Sequence, residues 1–160
     1  EEKPAIDKAF AEGNEVICEA FMQGIEITCG AYKTRDKAVA FPITEVVTSN
    51  EFFDYDAKYN GQVDEITPAR IPDEVRDEVQ ALTLKIYDIL GCKGIIRVDY
   101  ILTEARGDEA KGDRFEINLL EVNTTPGMTA TSFIPQQVRA AGLNIGEVLS
   151  EIIEDTLSKQ

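Results

Sequence analysis

Hydrophobic and polar residues alternate along residues 94–103. A strand places Ile96 and Val98 on one face, and Arg97 and Asp99 on the other, because successive side chains point to opposite faces. The pattern therefore predicts a strand with one buried face and one face that carries charge.

A second strand is predicted at the start of residues 119–132, which begin apolar and end as a loop rich in hydroxyl groups. Glu121 and Asn123 project to the same face of this strand. The intervening residues 104–113 are polar and contain two glycines. This composition is typical of the loop of an antiparallel hairpin, so we expect the two strands to pair.

A hairpin centred near residue 110 sets Asp99 opposite Glu121 and Arg97 opposite Asn123. Two carboxylates directly across a ladder repel each other unless a cation compensates for their charge. Carboxylate and amide oxygens are suitable ligands for a hard cation such as Mg²⁺. The pairing favours a cation site, and a solvated hairpin face with a surface ion pair is the simpler alternative that the spacing leaves open.

The rest of the chain predicts further helices and strands of an α+β domain. The clearest helix has apolar residues at spacings of three and four and is followed by Gly91. We expect the two helices nearest the carboxyl end to be structural. The predicted helices cover 4–11, 73–90, 135–141 and 145–157; the strands cover 15–21, 25–33 and 38–47, and 49–67 is an irregular loop.

The composition restricts the classes of partner. The 160 residues can bury a substantial core, and their net charge of −14 argues against nucleic acid or an anionic membrane surface. No apolar run approaches the roughly 20 residues needed to span a bilayer. A nucleotide remains possible, because a local pocket can be positive and Mg²⁺ accompanies the phosphates.

The three cysteines are Cys18, Cys29 and Cys92, and the chain has no Cys-x-x-Cys motif and no histidine. This usage predicts buried, reduced thiols in a cytoplasmic protein. Zinc is not expected without histidine or paired cysteines.

Four stretches together resemble one family, the D-alanine–D-alanine ligases, which are ATP-grasp enzymes. They occur in the family's order and cover nearly the whole chain. In chain order they are Glu-Ala-Phe-Met-Gln-Gly-Ile-Glu (19–26), Phe-Phe-Asp-Tyr-Asp-Ala-Lys-Tyr (52–59), Gly-Cys-Lys-Gly-Ile-Ile-Arg-Val-Asp (91–99) and Leu-Leu-Glu-Val-Asn-Thr-Thr-Pro-Gly-Met-Thr (119–129). The resemblance implies an ATP-grasp fold, with an antiparallel sheet packed against helices.

The resemblance also implies the site that binds ATP. It makes residues 19–22 the hinge around adenine, Glu26 the ribose ligand, and the 49–67 loop a lid over the phosphates. Without the family, exposed carboxylates on a sheet and an ordinary surface loop would be the simpler interpretations. The implied ATP ligands are Glu19, Ala20, Phe21, Met22, Glu26, Lys58 and Phe53, the last where many relatives carry tyrosine.

The resemblance further assigns metal and substrate ligands. Asp99, Glu121 and Asn123 would hold two Mg²⁺ or Mn²⁺ ions. Arg97 and the N–H of Gly127 would stabilise the tetrahedral oxyanion. Tyr59 would close the second amino-acid site and accompanies D-alanine as second substrate. Ser132 and the N–H of Phe133 would bind the carboxylate of that D-alanine, and a helix cap is the alternative role for Ser132.

The expected activity is ATP-dependent joining of two D-alanines through an acyl phosphate, in the bacterial cytoplasm, for peptidoglycan precursors. The family suggests a homodimer. Its members are considerably longer. Residues 1–160 are therefore expected to be one carboxy-terminal ATP-grasp domain, without the amino-terminal substrate domain or the rest of the ATP lobe. This domain is expected to be inactive alone. Another ATP-grasp carboxylate–amine ligase, or a non-catalytic nucleotide- or metal-binding module, is the alternative.

Overall fold

The computed structural model describes residues 2–48, 63–105 and 115–158. These residues form helices on both faces of an antiparallel sheet. The helices are α1 (Glu2–Glu12), α2 (Asp73–Ile89), α3 (Phe133–Ala140) and α4 (Ile145–Leu157). The strands are β1 (Ile25–Lys33), β2 (Ala38–Ala40), β3 (Thr44–Thr48), β4 (Val63–Ile66), β5 (Ile95–Glu104) and β6 (Phe115–Asn123).

Strand β1 is the centre of the sheet. The strand order is β4–β3–β1–β5–β6, and β2 pairs with the part of β1 that β3 does not reach. Residues 27–32 of β1 are buried, because strands flank both edges and side chains cover both faces. This position explains why β1 is apolar along most of its length.

One face of the sheet packs on α2. Ile27 and Cys29 of β1 and Val98 of β5 meet Val75 and Val79 of the helix in this core. The residues recur every second position in the strands and every fourth in the helix, as burial of one strand face and one helix stripe requires.

The opposite face is covered at one end only. Tyr32 of β1 and Ile95 of β5 are register partners, and they pack there with Ile134 and Val138 of α3 and Val148 of α4. Beyond this pair, the next rows of the same face carry polar side chains. The candidate site lies on these polar rows, next to the part of the sheet that the helices cover.

Several predicted elements are confirmed. The strand at 25–33 has the predicted bounds, and the helices predicted at 73–90 and 145–157 are α2 and α4. Helix α2 ends one residue early, and Gly91 follows with φ of 60°, a conformation that glycine adopts without strain. The helix predicted at 135–141 begins two residues earlier.

The strand predicted at 15–21 is wrong. These residues form neither helix nor strand, and all except Val16 are exposed. In the described part of the chain no strand lies beside them, and alternation of side chains cannot make a strand without a partner for its backbone.

Two other boundaries differ from the prediction. The single strand expected at 38–47 is divided into β2 and β3, because Pro42 has no N–H to donate to a ladder. Residues 63–66 of the expected loop form strand β4. Strand β6 begins at Phe115, so the hairpin is longer than the apolar pattern indicated.

The cysteines are only partly as expected. All three are free, but Cys18 is exposed rather than buried. Burial raises the pKa of the Cys29 thiol to about 12. None of the helices in the described residues is both long and apolar enough to cross a bilayer.

Gly30 lies where α3 approaches β1 most closely. A Cβ there would lie 2.4 Å from Cδ1 of Ile134 and 2.8 Å from Cδ2 of Phe41. We expect Gly30→Ala to lower the free energy of unfolding by about 1–3 kcal/mol, because overpacking forces neighbours from their positions. Urea unfolding measures this effect. Gly13→Ala is the control, since its Cβ would meet nothing closer than 3.9 Å; an equal loss in both variants would contradict this account.

Candidate active site

The hairpin pairs two carboxylates, as the sequence predicted. Asp99 lies opposite Glu121 and Arg97 lies opposite Asn123 in the β5–β6 ladder. The register then shifts, so that Tyr100 pairs with Leu119. The shift keeps the polar side chains of both strands on one face of the sheet.

Arg97 holds Asp99 with two parallel hydrogen bonds. Its Nε donates to Oδ1 of Asp99 over 2.8 Å and its Nη2 to Oδ2 over 2.7 Å. Nη2 is also 3.7 Å from Oε1 of Glu121. Asp99 is only 8% exposed, so this planar fork compensates for a carboxylate that has lost most of its hydration.

Burial lowers the pKa of the Arg97 guanidinium, but the hydrogen bonds and charge of Asp99 outweigh burial, so this pKa lies above its usual value. Glu121 and Glu26 act in the same direction. The guanidinium carbon also lies 5.2 Å from the ring centre of Phe133, within the range of a cation–π contact. Arg97 is therefore a permanent, immobilised positive charge on this face.

Asn123 joins the two carboxylates. Its Nδ2 donates to Oε1 of Glu121 over 2.8 Å and lies 3.3 Å from Oδ2 of Asp99. Rotation of this amide would present its oxygen instead, so the three side chains could supply oxygen ligands on one side. Such a donor set fits Mg²⁺ or Mn²⁺. Within residues 2–48, 63–105 and 115–158, cysteine and carboxylate side chains alone form no group of three that could hold a metal ion, so the amide of Asn123 would be needed as a ligand.

Thr28 extends the carboxylate row onto β1. It is paired with Asp99 on one side and with Thr44 on the other. Thr28 is 2% exposed, and its hydroxyl has no hydrogen-bond partner among the described residues. A buried hydroxyl without a partner is unusual and is consistent with a ligand or water beside Asp99. Thr28 could not be recognised as a site residue from the sequence, because threonine is ordinary in a strand.

A cleft lies at the far end of the same strands. It has a volume of ≈ 1090 Å³, and Phe21, Met22, Thr103 and Asn118 are among its lining residues. Asn118 pairs with Ile101, which pairs in turn with Glu26, so Glu26 lies in the row beside this cleft. The structure therefore brings part of the predicted adenine hinge to the end of the carboxylate face.

The first residues of that hinge do not join the cleft. Glu19 and Ala20 are exposed, and neither is among its lining residues. Three other predicted site residues, Phe53, Lys58 and Tyr59, lie outside the described residues.

The predicted substrate loop closes on itself at the other end. Ser132 Oγ accepts from the N–H of Thr129 over 3.2 Å and lies 2.8 Å from its hydroxyl. A Cβ on Gly127 would lie 2.9 Å from that same Oγ. Ser132 occupies the N-cap position of α3 but makes no side-chain cap bond, so the capping alternative is not observed. Gly127 and Ser132 thus lie side by side, and Phe133, the next residue in the chain, lies against Arg97.

Comparison with known proteins gives a consistent result. The sequence profile of the family described as "D-ala D-ala ligase C-terminus" matches residues 1–154. The D-alanine--D-alanine ligase of Bacteroides fragilis is 69% identical over 153 residues, which are 96% of this chain and 44% of that protein. The Parabacteroides distasonis ligase is 63% identical over 158 residues, or 99% of this chain and 45% of that protein.

Solved structures agree with the sequence matches. A D-alanine--D-alanine ligase from Bacillus anthracis complexed with ATP superposes with a TM-score of 0.69 at 32% identity, over 97% of this chain and 47% of that one. The VanG D-Ala:D-Ser ligase from Enterococcus faecalis gives 0.73 at 33% identity, over 95% of this chain and 42% of that one.

The fold is that of the ATP-grasp class. Within that class, the chain belongs to the D-ala D-ala ligase C-terminus family. It spans less than half the length of the curated relatives it matches.

The Arg97–Asp99 pair makes a prediction about stability. We expect Arg97→Met to lower the free energy of unfolding by about 1–3 kcal/mol, because it leaves a largely buried carboxylate without its partner. Adding Asp99→Asn should recover part of this loss, because the double variant has no uncompensated charge.

Urea unfolding of the single and double variants measures both effects. Arg76→Met is the control, because Arg76 pairs with Asp73 and Asp77 at the surface and its loss should change stability little. A double variant less stable than Arg97→Met would contradict this interpretation.

Proposed function

We propose that the complete protein containing this chain joins two D-alanine molecules, with ATP as co-substrate, to form D-alanyl-D-alanine. The observation that carries the proposal is the order of groups along one sheet face. From one end to the other lie the cleft with Phe21 and Met22, the Glu26 row, the Asp99–Glu121 row and the Arg97–Asn123 row. Gly127 and the start of α3 follow.

The spacing of these rows suits an extended nucleotide. Rows on one strand face are two residues, or about 7 Å, apart. A base in the cleft would therefore place ribose near Glu26 and the phosphates near the carboxylates. Arg97 and the substrate loop would then face the terminal phosphate. This agreement supports the sequence-based assignments of Glu26, Asp99, Glu121 and Asn123, and gives no support for Glu19 or Ala20.

Asp99, Glu121 and Asn123 are proposed to hold two divalent cations. Bound there, Mg²⁺ would neutralise charge on the phosphates. Arg97 keeps Asp99 in place in the absence of a cation, so the face does not have to be assembled when nucleotide binds. Mn²⁺ fits the same oxygen ligands.

The proposed reaction has two steps. The carboxylate oxygen of one D-alanine attacks the γ-phosphorus, and ADP leaves. The amine of the second D-alanine then attacks the acyl carbon, and loss of a proton from nitrogen and of phosphate from carbon completes the peptide bond. Negative charge develops on the acyl oxygen, where Arg97 and the N–H of Gly127 would stabilise it.

The acceptor end of the site is proposed to bind the second D-alanine. Ser132 Oγ and the N–H of Phe133 would bind its carboxylate, and the ring of Phe133 lies against the Arg97 guanidinium. Lys58 and Phe53 are proposed to contact ATP from the loop over the phosphates, and Tyr59 to close the acceptor subsite.

A second acceptor is a specific alternative. The solved D-Ala:D-Ser ligase of Enterococcus faecalis superposes on this chain as well as the D-alanine--D-alanine ligase of Bacillus anthracis does. The described part of the fold therefore does not by itself select the second substrate. D-serine and D-lactate are the acceptors to compare.

The test is phosphate release by the complete translation product with Mg²⁺, ATP and D-alanine. We expect release that depends on D-alanine, with dipeptide as product and little release with L-alanine alone. Asp99→Asn and Glu121→Gln should each lower the rate by about 10²–10³-fold, as losses of charge-stabilising groups do. Glu74→Gln, an exposed carboxylate at the start of α2, is the control and should leave the rate unchanged.

Phosphate release without D-alanine dependence would remove the substrate assignment and leave an ATP-grasp enzyme of another specificity. Full activity of both Asp99→Asn and Glu121→Gln would instead favour a non-catalytic binding module. Residues 1–160 alone are proposed not to turn over, since the curated relatives are more than twice as long.

A further inference from the structure

The sheet has a gap beside the centre of β1. Residues 41–43 connect β2 and β3 and belong to neither strand. The N–H of Phe41 donates to the carbonyl of Gly30 over 2.8 Å, but Pro42 has no N–H to offer the ladder. The ladder is interrupted at this point, and the buried Gly30 N–H needs an acceptor.

Gln137 of α3 supplies that acceptor and also binds the Thr28 carbonyl. Its Oε1 accepts from the Gly30 N–H over 2.9 Å, and its Nε2 donates to the Thr28 carbonyl over 3.0 Å. Nε2 also lies 3.1 Å from the Thr44 hydroxyl. Gln137 is 0% exposed. One buried side-chain amide thus provides the acceptor for Gly30 and binds α3 to β1 and β3 at the interruption.

This bond set fixes α3 relative to the functional face. Gln137 is four residues, about one helical turn, from Phe133, so both side chains lie on the face of α3 turned to the sheet. Phe133 lies against the guanidinium of Arg97, and Arg97 is the register partner of Gly30. Gln137 therefore binds α3 to β1 and β3, and Phe133, one turn earlier on the helix, contacts the neighbouring strand β5.

We propose that Gln137 is a positioning residue for the acceptor end of the site. Because it binds α3 to β1, it fixes the start of the helix, where Ser132 precedes Phe133 and Phe133 contacts Arg97. For the identity of the acceptor, the inference rests on the proposed ligase function. The inference that Gln137 positions the start of α3 does not depend on that function, and this positioning can be measured separately.

The test compares Gln137→Leu with Val79→Ala in the complete protein. Leucine keeps the apolar volume but loses every hydrogen bond of the amide. Val79 is also 0% exposed, but it lies in α2 on the opposite face of the sheet. Its truncation reports loss of stability without displacement of α3.

The first readout is hydrogen exchange of the peptide that covers 129–134. We expect Gln137→Leu to speed exchange there by about tenfold or more, because the helix start opens more often, and Val79→Ala to leave it unchanged. The second readout is kinetic. We expect the KM for the second D-alanine to rise about tenfold in Gln137→Leu while kcat changes less than about threefold, as loss of ground-state binding does.

A merely structural role predicts the same kinetic change in both variants at equal loss of Tm, and that result would overturn the inference. If the unchanged protein has no D-alanine-dependent activity, the proposed function fails, and hydrogen exchange alone tests whether Gln137 positions the start of α3.

If Gln137→Leu does not fold, the variant Thr44→Val tests the inference in its place. It removes one bond to Gln137 and should give smaller changes in the same direction, whereas unchanged exchange at 129–134 would contradict the proposal.

Discussion

The pairing of Asp99 with Glu121 across β5 and β6 is the constraint on which the site depends. Two carboxylates directly opposite each other destabilise a hairpin unless positive charge compensates for them. Arg97 supplies that charge with a two-bond fork to Asp99, and Asn123 bridges both carboxylates. The chain thus maintains a concentrated set of carboxylate and amide oxygens on one face, at a cost in local stability that Arg97 offsets.

Because the helices cover only part of the second face of the sheet, the polar rows on that face remain accessible to solvent. The apolar side chains of α3 and α4 cover the end of the second face that contains Tyr32, and α3 reaches as far as Gly30. The glycine at position 30 lets α3 descend onto β1, and the next rows are left to polar side chains. Apolar packing therefore defines one wall of the site, and the same helix carries Ser132 and Phe133 to it. The start of α3 therefore contributes both to the packing of the sheet and to the candidate site.

The sequence was sufficient for features that follow from local pattern. Alternation along β5 and the length of the following loop predicted that Asp99 would face Glu121, although residues 106–114 of that loop lie outside the described residues. The same alternation at 15–21 misled, because a strand also needs a neighbour. Gln137 could not be recognised, since its partners are 107 and 109 residues distant and its helix looked structural. Long-range pairing of one buried amide leaves no periodic signal.

The most direct test of the account is the binding of Mn²⁺ to the complete protein, followed by electron paramagnetic resonance with and without ATP. We expect ATP to increase the bound fraction of Mn²⁺. We expect Asp99→Asn and Glu121→Gln each to weaken binding by about tenfold or more, because each removes a negative charge from the proposed site. Mn²⁺ binding of undiminished affinity in both variants would contradict the assignment of this face to the nucleotide's cations.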